Sequence, residues 1–136
     1  MNQRRGETMA EMVKQLSVFV QNKVGTLQEL CTQLGRAGVN VLGTLLVDER
    51  DWGVVRLVVD DVAKAKTALQ NTGYVFGESE VLAVELDNTP GTLADMASRL
   101  AKENISVEFI YGSGAGPRAL MILSTSNNKK AGKLLR

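Results

Sequence analysis

The sequence repeats itself once, and this repeat limits the chain to two copies of one fold. Residues 16–70 align with residues 82–136 without a gap, and apolar positions coincide through most of that length. The motif Asn-x-x-Gly-Thr-Leu occurs in both copies, at residues 22–27 and 88–93. A match that keeps its register through two strands, a helix and a hairpin is typical of an internal duplication.

Each copy begins with the pattern of a strand followed by a helix. Alternating apolar residues predict first strands at 16–20 and 82–86, and Glu85, which replaces Phe19, predicts that this face of the sheet is wet. Apolar residues then recur at i, i+3, i+4 and i+7, as on one face of a helix. Cys31 lies in this stripe, so we expect a buried structural thiol.

The rest of each copy completes a β-α-β-β-α pattern. Gly38 and Asn104 tolerate a left-handed backbone and are expected to close the first helices. Asp60 or Asp61 can cap a second helix. The remaining predicted segments are second strands at 39–47 and 105–111, third strands at 53–60 and 119–125, the helix 62–71 and a fourth strand within 74–80.

Hairpin connections are expected between the second and third strands. In the second copy the connection is Gly-Ser-Gly-Ala-Gly-Pro, residues 112–117, which lacks the ending of a phosphate-binding loop and precedes a strand. In the first copy it is the polar stretch 48–52, where Trp52 is expected to pack at the hairpin end. Both are interpreted as turns rather than as ligand sites.

These elements predict an α+β protein with two ferredoxin-like βαββαβ units, each an antiparallel sheet with helices on one face. The expected division is an N-terminal extension at 1–13, a first domain at 14–80 and a second domain at 81–136. The second copy reaches Arg136 within its second helix and so lacks the last strand. Either the sequence is truncated, or another segment covers that edge.

The outer face of the first sheet is expected to be apolar. Such a face should meet another surface, which favours a homodimer. The residues assigned to this face are Phe19, Leu42, Leu46, Val54 and Val58.

Composition excludes several function classes. A net charge of +1 and an aromatic content of 4% give no reason to expect nucleic-acid or membrane binding. With one cysteine and no histidine, the chain has no intrachain disulfide, no cysteine-based zinc site and no histidine base. No carboxylates group into an acid–base pair. We therefore expect a cytoplasmic protein that is not an enzyme and that holds no cofactor or metal.

The repeated turn is the candidate binding feature. Its glycine lets the backbone approach a ligand closely, and the following helix start offers N–H groups to an anion. An asparagine side chain, at Asn22 or Asn88, both donates and accepts hydrogen bonds and suits a zwitterion. The alternative is that each turn merely caps its helix.

The repeated turn and the segment that follows the first helix resemble a known family. The two turns, of the form Asn-x-Pro-Gly-x-Leu, and the later Gly-Val-Asn-Val at 38–41 are similar to ACT domains, the small-molecule-binding regulatory modules of amino-acid metabolism. Residues 14–136 look like the stand-alone tandem ACT proteins, which contain two such units and no enzyme. Val24 departs from the family's proline.

The resemblance implies a ligand at an interface between two ACT units, held by the turn of one unit and by the second asparagine of its neighbour. Asn40 matches that asparagine, and its copy is the shorter Ser106, so the turn at 88–93 facing Asn40 is the favoured site. The residues implied are Asn22, Val24, Gly25, Thr26, Leu27, Asn40, Asn88, Thr89, Pro90, Gly91, Thr92, Leu93 and Ser106.

Two functions remain open from the sequence. One is a non-catalytic regulator that binds an amino acid and controls a partner, such as an enzyme of amino-acid metabolism. The other is a structural or oligomerisation module without a ligand. RNA binding on the same topology needs aromatic residues on the first and third strands, where Phe19 stands alone. Metal transport needs a Cys-x-x-Cys turn, which the sequence lacks.

Overall fold

The computed structural model describes residues 8–136, and within them the chain forms six strands and four helices. The paired strands are antiparallel, so the predicted α+β fold with ferredoxin-like units is confirmed. The elements are β1 (Met9–Gln21), α1 (Thr26–Arg36), β2 (Val41–Glu49), β3 (Trp52–Val59), α2 (Val62–Asn71), β4 (Val75–Asp87), α3 (Thr92–Lys102), β5 (Val107–Ala115), β6 (Arg118–Thr125) and α4 (Asn128–Leu134).

The chain divides into two compact units. The N-terminal unit comprises residues 14–79, and its strands follow the order β2-β3-β1-β4. Alternate residues of β1 and β3 pack against both helices, and the resulting core is fully buried. Asp61 caps α2 as expected, because its carboxylate accepts a hydrogen bond from the Lys64 backbone N–H. The core includes Leu16, Val18, Val55, Leu57, Leu30, Leu34 and Leu69.

The C-terminal unit combines residues 80–136 with residues 8–13. Its strands follow the order β5-β6-β4-β1, so the beginning of β1 takes the place of a fourth strand. Ala10 packs against the core of this unit, which α3 and α4 cover. The fourth strand that the second repeat does not encode is thus provided by residues that precede the first repeat.

Both second strands contain a bulge at the same repeat position. The register shifts between Val41 and Gly43 in β2 and between Val107 and Phe109 in β5. A bulge adds one residue and reverses which face the following side chains point to. Leu46 therefore pairs with Val55 on the helix side of the sheet, and its assignment to the outer face was wrong.

Helix α1 buries a narrower stripe than its sequence pattern predicted. Leu30 and Leu34 are its buried residues, whereas Leu27 is 43% exposed and Cys31 is also exposed. The prediction of a buried thiol was wrong. Leu30 and Leu34, which are four residues apart on one face of α1, make the buried contact with the sheet, and Cys31 lies beside that face. The predicted helix ends are confirmed, since Gly38 and Asn104 both have positive φ.

The hairpin of the C-terminal unit is tighter than predicted. Strand β5 continues through Ala115, so the connection to β6 is only Gly116 and Pro117. A side chain on Gly112 would place its Cβ 2.1 Å from the Leu120 carbonyl oxygen, which explains a glycine inside this strand. The segment 112–117 is thus mainly paired strand rather than open loop.

Candidate functional site

The two repeated turns have the same local structure. Each connects a strand to a helix through a glycine at the helix N-cap, with φ of 91° at Gly25 and 90° at Gly91. This left-handed conformation strongly favours glycine. The next residue, Thr26 or Thr92, turns its hydroxyl back to the carbonyl three residues earlier, at 3.0 and 3.1 Å. The Gly-Thr pair is therefore accounted for by the turn itself.

The turn asparagines hold the neighbouring hairpins. Asn22 donates from its backbone to the Asp51 carbonyl oxygen at 2.9 Å and from Nδ2 to the Arg50 carbonyl oxygen at 2.7 Å. Asn88 makes the equivalent pair of bonds, to Pro117 at 3.0 Å and to Gly116 at 3.0 Å. Neither side chain caps a helix. This role was not predicted from the sequence. The feature that could have indicated it is the short polar or glycine-rich hairpin turn that both repeats contain after their second strand.

The two asparagines differ in one further contact. Asn22 Nδ2 also donates to the Asp48 carboxylate at 2.7 Å. The repeat equivalent of Asp48 is Gly114, and a Cβ added there would lie 2.3 Å from Asn88 Oδ1. In the C-terminal unit, Gly114 leaves room for the Asn88 side chain because it has no Cβ. In the N-terminal unit, the Asp48 carboxylate binds the Asn22 side chain instead.

A cleft of about 340 Å³ adjoins the first turn. Residues 20–28 form most of its wall, and Leu46, Asp48 and Gly53 complete it. Pockets of a few hundred Å³ are large enough for a small metabolite. Lys23 and Asp48 place a cation and an anion in the lining, so the cleft suits a zwitterion. All the predicted residues of the first turn come together here, namely Asn22, Val24, Gly25, Thr26 and Leu27.

The second turn is open to solvent. Its residues from Asn88 to Thr92 are exposed or partly so, and Leu93 is 46% exposed. Thr89 and Thr92 join their hydroxyls at 2.7 Å. Pro90 stands where the first turn has Val24, which is fully exposed.

Asn40 and Ser106 lie at the opposite end of their own sheets from these turns. The Asn40 N–H donates to the Asp60 carboxylate at 2.9 Å, and the Asp60 N–H donates to the Asn40 carbonyl at 3.0 Å. Ser106 and Ser126 repeat this exchange at 3.0 and 2.9 Å. Asn40 therefore does not reach the turn of its own unit.

A buried ion cluster lies next to the second turn. Arg118, 7% exposed, donates to the Glu85 carboxylate at 3.2 Å and to the Asp87 carboxylate at 2.7 Å. Burial disfavours the charged guanidinium, but the hydrogen bonds to Asp87 and Glu85 outweigh it and raise the pKa of Arg118 above its ordinary value. Glu85, 9% exposed, was predicted to mark a wet face. That was wrong, because Arg118 reaches over from β6 and covers it.

The side-chain groupings and the helices of residues 8–136 bear on metal binding and on membrane crossing. Among residues 8–136, no three histidine, cysteine, aspartate or glutamate side chains are grouped so that they could hold a metal ion. Within the same residues, every helix is too short or too polar to cross a membrane.

The family model described as an ACT domain pair matches residues 11–135. The chain belongs to the ACT domain pair family. The predicted resemblance is thereby confirmed. No curated protein matches the sequence.

Several solved structures share the fold of this ACT domain pair. Protein BT0572 from Bacteroides thetaiotaomicron is 29% identical, with a TM-score of 0.88, over 93% of this chain and 88% of that one. The regulatory subunit of aspartate kinase from Thermus thermophilus is 16% identical, with a TM-score of 0.72, over 94% and 93%. The corresponding subunit from Thermus flavus is 14% identical, with a TM-score of 0.64, over 98% and 97%.

Proposed function

We propose that this ACT domain pair is a non-catalytic regulatory protein that binds an amino acid at the interface between ACT units. The observation that carries the proposal is the cleft beside the first turn, which presents Lys23 and Asp48 along with the start of α1. Like-sized neighbours with the same fold are described as regulatory subunits of aspartate kinase. These names support a partner enzyme of amino-acid metabolism.

The geometry provides one group for each charge of an amino acid. The start of α1 has no side-chain cap among the described residues, so its N–H groups and the Lys23 ammonium suit a carboxylate. Asp48 suits the ammonium. A second asparagine from a neighbouring unit would complete either turn, with Asn40 serving 88–93 and Ser106 serving 22–27. At the turn 88–93 the counterparts of Lys23 and Asp48 are Thr89 and Gly114, so the two charges belong to the turn 22–27 alone. Because asparagine has more hydrogen-bonding groups than serine, we propose that Asn40 outweighs this difference and makes the turn at 88–93 the tighter site.

A thermal-shift screen of the free amino acids tests the proposal. A ligand that binds only the folded protein raises its melting temperature. For the best ligand, calorimetry should show that Asn40→Ala weakens binding about 10-fold or more, the loss of one hydrogen bond to a charged group. Ser106→Ala is the matched control and should change little. Equal effects of the two substitutions would contradict the predicted asymmetry.

The proposed assembly is a cytoplasmic homodimer. Edge strands β2 and β5 expose Leu42, at 53%, and Ile110, at 40%, as surfaces for a second copy. Phe19 adds a further apolar side chain that is 44% exposed. Light scattering that gives the mass of one chain at micromolar concentration would contradict the dimer.

A ligand-free structural module is the second candidate. The hydrogen bonds of Asn22 and Asn88 to the hairpins favour it, because they explain the repeated asparagine without any ligand. An amino-acid screen without a shift in melting temperature, together with an intact dimer, would support this candidate over the first.

A further inference from the structure

A second cleft, of about 360 Å³, also adjoins the first turn of the N-terminal unit and shares Val20, Gln21, Lys23 and Thr26 with the cleft described above. Three of its lining side chains are aromatic: Phe19, Trp52 and Tyr74. Trp52 is 54% exposed and Phe19 is 44% exposed, which is unusual for large apolar side chains on the same unit. The remaining wall is formed by Val20, Gln21, Lys23, Thr26, Glu29, Thr72, Gly73 and Val75.

The residues that line this cleft differ in kind between the two copies of the repeat. Phe19, Gln21 and Trp52 are the counterparts of Glu85, Asp87 and Arg118 in the second copy. Those three form the hydrogen-bonded ion cluster of the C-terminal unit, in which Glu85 and Arg118 are buried. At the same repeat positions, the C-terminal unit has hydrogen-bonded charges and the N-terminal unit has two aromatic side chains that line a cleft.

The charges at the cleft narrow the class of ligand. Lys23 and Glu29 are both in the lining, so a pure anion would meet a carboxylate and a pure cation would meet an ammonium. Glu29 is close enough to Tyr74 that, after burial, it is a cause of the raised pKa of the Tyr74 hydroxyl. Among the described residues, Lys23 and Glu29 make no ion pair with another side chain. A zwitterion satisfies both charges, and a planar apolar group can stack on Phe19 and Trp52.

We propose that this cleft binds an aromatic α-amino acid. Its ring lies against Phe19 and Trp52, its carboxylate pairs with Lys23, and its ammonium pairs with Glu29. Phe19, Trp52, Tyr74 and Glu29 line this cleft and not the cleft that contains Leu46 and Asp48, whereas Lys23 lines both. The two clefts therefore compete for the Lys23 ammonium, and they are distinguished by the residues that only one of them contains.

Trp52 provides a direct test because it is the one tryptophan of the chain. Phenylalanine, titrated into the full chain, should shift the Trp52 emission to shorter wavelength as its ring displaces water. Leucine should bind about 2- to 10-fold more weakly, because it lacks the aromatic stacking. An unchanged emission at millimolar phenylalanine, or equal affinities for the two amino acids, would overturn the proposal.

Two ligand analogues separate the two charges. Lys23→Ala should weaken phenylalanine about 10-fold or more and leave 2-phenylethylamine, which has no carboxylate, unchanged. Glu29→Gln should weaken phenylalanine and 2-phenylethylamine but not 3-phenylpropionate, which has no ammonium. Lys102→Ala, an exposed lysine on α3, is the matched control and should change none of them. If Lys23→Ala also weakened 2-phenylethylamine, or Glu29→Gln also weakened 3-phenylpropionate, the two charges would not pair as proposed and the proposal would be overturned.

The two sites can be tested separately. Leu46 lines only the first cleft, and Trp52 lines only the second. Leu46→Ala should therefore leave the Trp52 response unchanged, and a response lost in Leu46→Ala would assign it to the first cleft and overturn this proposal. An unchanged Trp52 emission together with an amino acid whose binding is weakened by Leu46→Ala would rule out the second cleft alone. A Trp52 response together with no amino-acid binding that Leu46→Ala weakens would rule out the first cleft alone.

Discussion

Asn22 and Asn88 occupy the same place in their units but make different numbers of side-chain hydrogen bonds. Asn22 Nδ2 donates to Asp48 and to the Arg50 carbonyl, whereas Asn88 Nδ2 donates to the Gly116 carbonyl. A net hydrogen bond is worth about 0.5–1.5 kcal/mol, and more when one partner is charged. The first asparagine should therefore contribute more to stability.

We expect Asn22→Ala to lower the free energy of unfolding by about 2–3 kcal/mol and Asn88→Ala by about 1 kcal/mol. Urea unfolding followed by circular dichroism measures both. Asp48→Ala is the control for the extra bond and should account for much of the difference. A larger loss in Asn88→Ala would contradict the assigned contacts.

Gly25, at the N-cap of α1, and Gly35, inside α1, should respond in opposite ways to substitution by alanine. Gly25, at the N-cap, has a φ of 91°, so Gly25→Ala should destabilise the protein by about 1–2 kcal/mol. Gly35, inside the helix, has open space where its Cβ would lie, so Gly35→Ala should stabilise the protein by about 0.5–1 kcal/mol. Thermal melting of the two variants should give shifts of opposite sign. Shifts of the same sign would refute the backbone argument.

At the scale of secondary-structure elements, the Arg118 cluster joins β4 to β6. Removing the cation would leave Glu85 buried without its partner, which costs about 3–5 kcal/mol for a buried pair. Arg118→Met should therefore destabilise the C-terminal unit strongly. Glu85→Met/Arg118→Met should recover most of the loss, because apolar side chains of similar size need no partner. Denaturant midpoints of the three proteins decide this, and a double variant as unstable as the single one would contradict it.

The elements themselves could be predicted from sequence because their patterns are local. Alternation placed Val18 and Val84 in the core, and both are fully buried. Asp61 marked the start of α2. The bulge after Val41 could not be predicted, since one extra residue in a strand leaves no local signal, and it moved Leu46 to the other face. Glu85 was misassigned because its partner Arg118 is distant in sequence.

The candidate site was predictable in part for the same reason. The strand-to-helix turns, with the positive φ of Gly25 and Gly91, follow from a motif of six residues. The bonds from Asn22 and Asn88 to the hairpins join residues 28 apart in sequence, so the motif alone could not show them. The cleft that contains Trp52 could not be predicted, because its lining residues, such as Phe19, Trp52 and Tyr74, are far apart in the sequence.

At the scale of the whole molecule, the chain does not divide at the repeat boundary. Residues 8–13 precede the first repeat but belong to the C-terminal unit, while residues 14–21 of the same strand belong to the N-terminal unit. The integrity of the C-terminal unit therefore depends on residues at the far end of the sequence. The N-terminal unit draws its strands from one continuous stretch.

This dependence predicts that a shortened chain loses stability in one unit only. Deletion of residues 1–13 removes the beginning of β1, which completes the sheet of the C-terminal unit, and the contact of Ala10 with its core. Backbone groups of β4 in that unit are then left unpaired. Hydrogen exchange followed by mass spectrometry should show faster exchange in residues 80–87 and in β6. Exchange in β3, which belongs to the other unit, should stay close to that of the full chain. The matched control is Met12→Ala, which shortens a side chain that is 39% exposed and keeps the strand, and it should leave both units protected. If the deletion accelerated exchange equally in β3 and β6, the two units would unfold together. The prediction that residues 8–13 stabilise the C-terminal unit alone would then be wrong.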